Sequence, residues 1–86
     1  MPKTKPVETY QVEVELTDTY GGEANYCWVR RATLTLPVGI SNRAIMRRAK
    51  AAVGITGMRG EAINYGDTID FRPYRACLVM FIIPAY

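Results

Sequence analysis

The 86-residue chain contains no histidine. That absence removes the commonest general base near neutral pH and the commonest metal ligand. A Ser-His or Cys-His nucleophile therefore cannot be assembled within one chain. Cys27 and Cys77 stand fifty residues apart and form neither a C-x-x-C pair nor a zinc spacing. Among the carboxylates, Asp67 and Asp70 would face opposite sides of a regular strand. Asp18 and Glu23 flank the Gly21-Gly22 pair and read as solvated loop acids. Gly54, Gly57 and Gly60 lack the neighbours of a Walker loop or a dinucleotide fingerprint and are assigned to turns. The expectation is a chain with no catalytic residue, no metal and no cofactor.

What the residues offer instead is recognition chemistry. The net charge is +3, unevenly spread. Residues 1–24 net −3, residues 25–60 carry seven cations and no acid, and residues 61–86 net −1. Such asymmetry creates a basic and an acidic face, unless the segments lie side by side and neutralise one another. Two candidate surfaces follow. Tyr20, Tyr26 and Trp28, with Arg30 and Arg31 close by in the chain, have the composition of a protein-partner site, because aromatic residues and Arg anchor most interfaces, or of a stacking platform for single strands. Tyr26 and Trp28 read first as core residues, which leaves Tyr20 as the aromatic expected at the surface. Arg43, Arg47, Arg48, Lys50 and Arg59 form the alternative, a nucleic-acid-binding face whose grip on phosphates would weaken steeply with salt. The bland counterpart is a solvated helix face with basic residues near its C-terminal end. No helix-turn-helix, zinc finger or RNP-type motif accompanies the basic residues.

The elements that must position these residues can be read from hydrophobic periodicity. Residues 1–8 read as a flexible tail, and residues 9–86 as a single domain. Tyr10 to Leu16 alternates apolar and polar residues, as a half-buried strand does. Residues 17–24 have the composition of a loop, with Gly21-Gly22 at a tight reversal. A second strand from Asn25 to Leu36 puts Tyr26, Trp28, Ala32, Leu34 and Leu36 on its core face, with Arg30 the exception. Its length suggests a bulge near Arg30-Arg31. Ser41 is a natural N-cap for a helix that ends at Gly54. In that helix Ile45, Met46, Ala49, Ala52 and Val53 form the apolar stripe, with Arg43, Arg47 and Lys50 roughly opposite. A short strand at 61–65 is an option. Alternation resumes at Asp67–Arg72, and Tyr74–Ile83 is apolar on both faces, as a central covered strand is.

The result is an α+β domain of two layers in the order β-β-α-β-β, one helix on a mostly antiparallel sheet. Leu34-Thr-Leu-Pro37 before the helix and Tyr65-Gly-Asp-Thr-Ile-Asp-Phe71 after it resemble the second strand and the late Gly-Asp turn of the ubiquitin-like β-grasp fold, over most of residues 10–72. The chain shows no C-terminal Gly-Gly, so the resemblance does not extend to conjugation or sulfur-carrier activity.

The longest mainly apolar run, Ala76–Ile83, is far short of the roughly 20 residues a helix needs to cross a bilayer. The first ten residues hold no apolar h-region, and a cytoplasmic location with no membrane partner is expected. The functional expectation is a small non-catalytic module that engages a protein partner or a second copy of itself. A short, histidine-free chain of this kind has the look of a phage- or plasmid-encoded accessory or inhibitor protein.

Overall fold

A computed structural model describes residues 8–85. The expected N-terminal tail lies outside them, except for Glu8. Six elements follow in order: β1 (Thr9–Tyr20), β2 (Glu23–Pro37), α1 (Asn42–Ala52), β3 (Gly60–Asn64), β4 (Ile69–Pro73) and β5 (Leu78–Pro84). The strands form one antiparallel sheet in the order β2-β1-β5-β4-β3. The protein is thus a small single-domain α+β fold, with one strand more than the β-β-α-β-β order. First and last strands lie side by side and antiparallel, so the likeness to the β-grasp stops at the order of its elements.

Gly21 and Gly22, at φ 62° and 86°, make the two-residue turn that joins β1 to β2. Both positions need left-handed backbone, and the turn's twist matches that of the strands it connects. The residues expected in a loop at 17–20 therefore extend β1. The helix starts as its sequence implies, with the Ala44 N–H donating to Ser41 Oγ at 3.2 Å. It stops at Val53 because Gly54 turns left-handed at φ 80°, which ends a helix without a Cβ penalty.

Alternation decides which side of the sheet meets the helix. Val12, Val14 and Leu16 of β1, Leu36 of β2, Phe71 of β4 and Met80 and Ile82 of β5 pack with Ile45, Ala49, Val53 and Ile55 in one buried cluster. The opposite face of the sheet has no helix. There Arg31 Nε sits 3.0 Å from Glu15 and 3.8 Å from Glu13, so the acidic side of the first strand does lie against the basic residue of the second. Phe81 and Ile83 share this face and are only half-buried. β5 is central in the sheet; on this face Val79, paired with Thr17, is fully buried, while Phe81 and Ile83 further along are only partly covered. Arg72, also on this face, donates to the carbonyl of Gly22 and holds the hairpin turn against the sheet. Both cysteines are free and exposed, unlike the buried thiols their apolar surroundings suggested.

Gly60 supplies the closest backbone approach. A Cβ there would stand 2.2 Å from the Arg72 carbonyl oxygen and 2.6 Å from Pro73 Cα. Both belong to backbone and cannot swing aside. Gly60→Ala is expected to lower stability by about 1–3 kcal/mol, the range for forced overpacking. Urea or thermal melts measure it, and an unchanged midpoint would show that β3 and β4 can separate freely.

Candidate functional site

The expected partner site and basic face are both redistributed by the fold. Arg30 and Arg31 pair in regular register with Leu16 and Glu15, so no bulge interrupts the strand there and the two side chains point to opposite faces. Arg30 turns to the helix side, where Nη1 donates to the Val53 carbonyl at 2.8 Å. It satisfies one of the carbonyls that a helix C-terminus leaves unpaired. This explains how a cation stands in an otherwise apolar alternation. Arg31 is occupied by the glutamates on the far face. Tyr20 is 81% exposed beside the hairpin turn, and neither arginine joins it.

The irregularity lies further along. Between the pairs Thr17–Val29 and Thr19–Ala24, the single residue Asp18 faces the four residues 25–28 of β2. Those four form a large bulge, and the Asp18 carboxylate fills it. Asn25 Nδ2 donates to one carboxylate oxygen at 2.8 Å, and the Cys27 N–H donates to the other at 2.9 Å. Beneath them the fully buried Thr17 donates its hydroxyl to the Trp28 carbonyl at 2.8 Å. Within the bulge Tyr26 adopts φ 56°, a left-handed conformation costly for a residue with a Cβ.

Tyr26 and Trp28, expected on the core face, are exposed. The tie from Arg30 to Val53 marks the level at which α1 ends, and Trp28 lies beyond it. The same end of the sheet carries the turn between β4 and β5. Cys77 there accepts from the Thr19 N–H at 2.9 Å, and the Tyr74 N–H donates to the Arg59 carbonyl at 2.8 Å. Tyr74 is exposed, and Arg75 beside it is left-handed at φ 60°. Tyr20, Tyr26, Trp28 and Tyr74, with Arg59 and Arg75, thus gather at one end of the molecule. The sequence reads Asp18 as a solvated loop acid, where the structure has it accepting from Asn25 and Cys27, and it gives Asn25 and Tyr74 no role. A short acid and a short amide on either side of Gly-Gly were the available signal, since such side chains bond nearby backbone.

The basic set divides three ways. Arg43, Arg47 and Lys50 line a groove with Met46, Thr56 and Gly57. Lys50 is already engaged there. Its Nζ donates to the Met58 carbonyl at 2.8 Å and lies 4.3 Å from the centre of the Phe71 ring. Arg48 sits on another flank of the helix, outside this groove. Arg59 belongs to the aromatic end.

Among the described residues no group of three or more His, Cys, Asp or Glu is placed to hold a metal ion. No helix there is long and apolar enough to cross a membrane. No protein-family model, curated protein or solved structure matches the chain.

The Asn25 amide, with help from the Cys27 N–H and against partial desolvation, holds the Asp18 carboxyl below its ordinary value of 3.8. Hydrogen bonds to the charged form favour it. The stabilisation from a depressed carboxylate is present above the ordinary value and is lost as pH falls through the folded-state value. Wild type is expected to melt above Asp18→Ala at neutral pH, with the gap closing below pH 3.8. A gap that persists unchanged in acid would show that charge on Asp18 does not hold the bulge. The two neighbouring arginines should also behave differently. Arg30→Ala is expected to cost about 1 kcal/mol through the lost bond to the helix end. Arg31→Ala should cost less than about 0.5 kcal/mol, as exposed ion pairs do. Denaturant midpoints of the two variants compare them directly, and equal losses would remove the capping role.

Proposed function

We propose that the protein is a non-catalytic binding module that docks a protein partner on the aromatic end of its sheet, as an accessory or inhibitor protein docks on a larger complex. The observation that carries this reading is the Asn25–Trp28 bulge. It presents Tyr26 and Trp28 to solvent, 55% and 42% exposed, on backbone that would relax if nothing held it. Strain of this kind persists only where surrounding contacts fix it, and it concentrates at ligand-binding positions. Here Asp18 and Thr17 supply those contacts.

The composition of the end agrees with this role. Tyr, Trp and Arg are the residues most often found at the energetic centres of interfaces. Tyr and Trp give large contact areas and lose little rotamer freedom on binding. A loop already ordered in the free protein loses less entropy when a partner arrives.

Affinity capture from lysate of the native host, with and without nuclease, tests the reading. A defined protein should be retained by wild type and by an Arg43→Glu/Arg47→Glu control. Tyr20→Ala and Trp28→Ala should each weaken retention by about tenfold or more, the scale of a lost interface anchor. Retention that disappears with nuclease, or that ignores both aromatic substitutions, would overturn it.

A further inference from the structure

We infer that the groove between α1 and β3 receives an extended acidic peptide, which adds to the free edge of β3 as a sixth strand. β3 is the outermost strand on its side of the sheet, so half of its backbone donors and acceptors have no strand partner there. Such an edge is a ready template for another chain. Its register with β4 sets Ala62 opposite Phe71 and Asn64 opposite Ile69, so both face the helix side. The facing wall is the flank of α1 that carries Arg43, Met46 and Arg47.

Two cavities make the groove continuous. One of about 390 Å³ runs between Arg43, Met46, Arg47 and Lys50 and the loop at Thr56 and Gly57. The other, of about 330 Å³, lies between Asn42, Arg43 and Met46 and the strand residues Ala62, Asn64 and Ile69. They share Arg43 and Met46. No carboxylate lines either one. Arg43 and Arg47 are exposed, and the ion pairs among the described residues all belong to Arg31. The groove thus has an apolar floor, a hydrogen-bonding edge and two uncommitted guanidinium groups, which favour planar bidentate contact with carboxylates.

The same inventory argues against a nucleic-acid backbone. Lys50 is held by Met58 and Phe71, Arg48 lies outside the groove and Arg59 is at the aromatic end. Two arginines remain, against the roughly six to ten phosphate contacts typical of salt-sensitive DNA binding. An extended peptide satisfies the edge with its backbone and turns every second side chain to the helix side, where acidic ones reach Arg43 and Arg47. This site is separate from the aromatic end and stands or falls independently of it.

The test is selection of displayed random peptides of about eight residues on wild type, with the Arg43→Glu/Arg47→Glu variant as counter-selection. Circular dichroism and melting verify that this variant is folded, and Arg43→Gln/Arg47→Gln repeats the comparison without charge reversal. Enriched peptides should carry acidic residues at alternating positions. A synthetic representative, followed by fluorescence anisotropy, should bind about tenfold or more weakly to either double variant. N-methylation of its alternate amides on the β3 side should weaken binding by a similar factor, and its addition should slow amide exchange within Gly60–Asn64. Tyr20→Ala and Trp28→Ala should bind it as wild type does. Absence of enrichment, indifference to the arginine variants or to N-methylation, or displacement by a short single-stranded oligonucleotide with strong salt dependence would each overturn the proposal. The last outcome would assign the groove to phosphates.

Discussion

The architecture turns on a mismatch of lengths. A helix advances about 1.5 Å per residue and a strand about 3.3 Å, so the 11 residues of α1 cover the span of about five strand residues. β1 and β2 have 12 and 15 residues. One short helix therefore seals the sheet from Val12 to Leu16 and leaves the rest of the hairpin without a second layer. Inside that length the alternating residues are buried with Leu36, Phe71, Met80 and Ile82. Beyond it the ladder gives way to the bulge that holds Tyr26 and Trp28, with no helix to bury them. Arg30 stands at the boundary, where its guanidinium meets the last turn of the helix.

This boundary also explains what could be read in the sequence. Periodicity reports which side of a strand a residue occupies, and that was legible: Tyr10–Leu16, the Ser41-capped helix and the apolar run before Ile83 all became the expected element types. Periodicity does not report how far the opposing layer reaches. Alternation puts Trp28 on the core side, and the helix that would cover it stops short. The position of the bulge escapes periodicity for a related reason. An overlong strand calls for an irregularity somewhere, but Arg30 and Arg31 keep register because each has a partner, Val53 or Glu15. The disruption fell instead where Asp18 could satisfy the freed backbone. The short strand at 60–64 was ambiguous because its glycine answers to a neighbour, the Arg72–Pro73 backbone, that is distant in sequence.

Of the candidate residues, exposure was legible and convergence was not. Tyr20 follows from its place beside Gly-Gly, and Arg43 with Arg47 follows from helical spacing. Arg30 and Arg31 are adjacent in sequence, and that adjacency puts them on opposite faces of the sheet. Tyr74 joins Tyr20 only because β5 returns beside β1. Proximity across the sheet is a property of topology, which residue spacing within one segment does not encode.

That return has a kinetic side. β1–β2 and β3–β4 are local hairpins, each able to close soon after it is made. The pairing of residues 12–18 with residues 78–84 joins opposite ends of the described chain, and it supplies Met80 and Ile82 to the core. Contacts of such long sequence separation close late and slow the search. During synthesis the two hairpins and the helix would wait with an open apolar face until β5 emerges. The last strand is then the step that commits the chain to its fold, and the interval before it arrives is when the nascent chain is most exposed to aggregation.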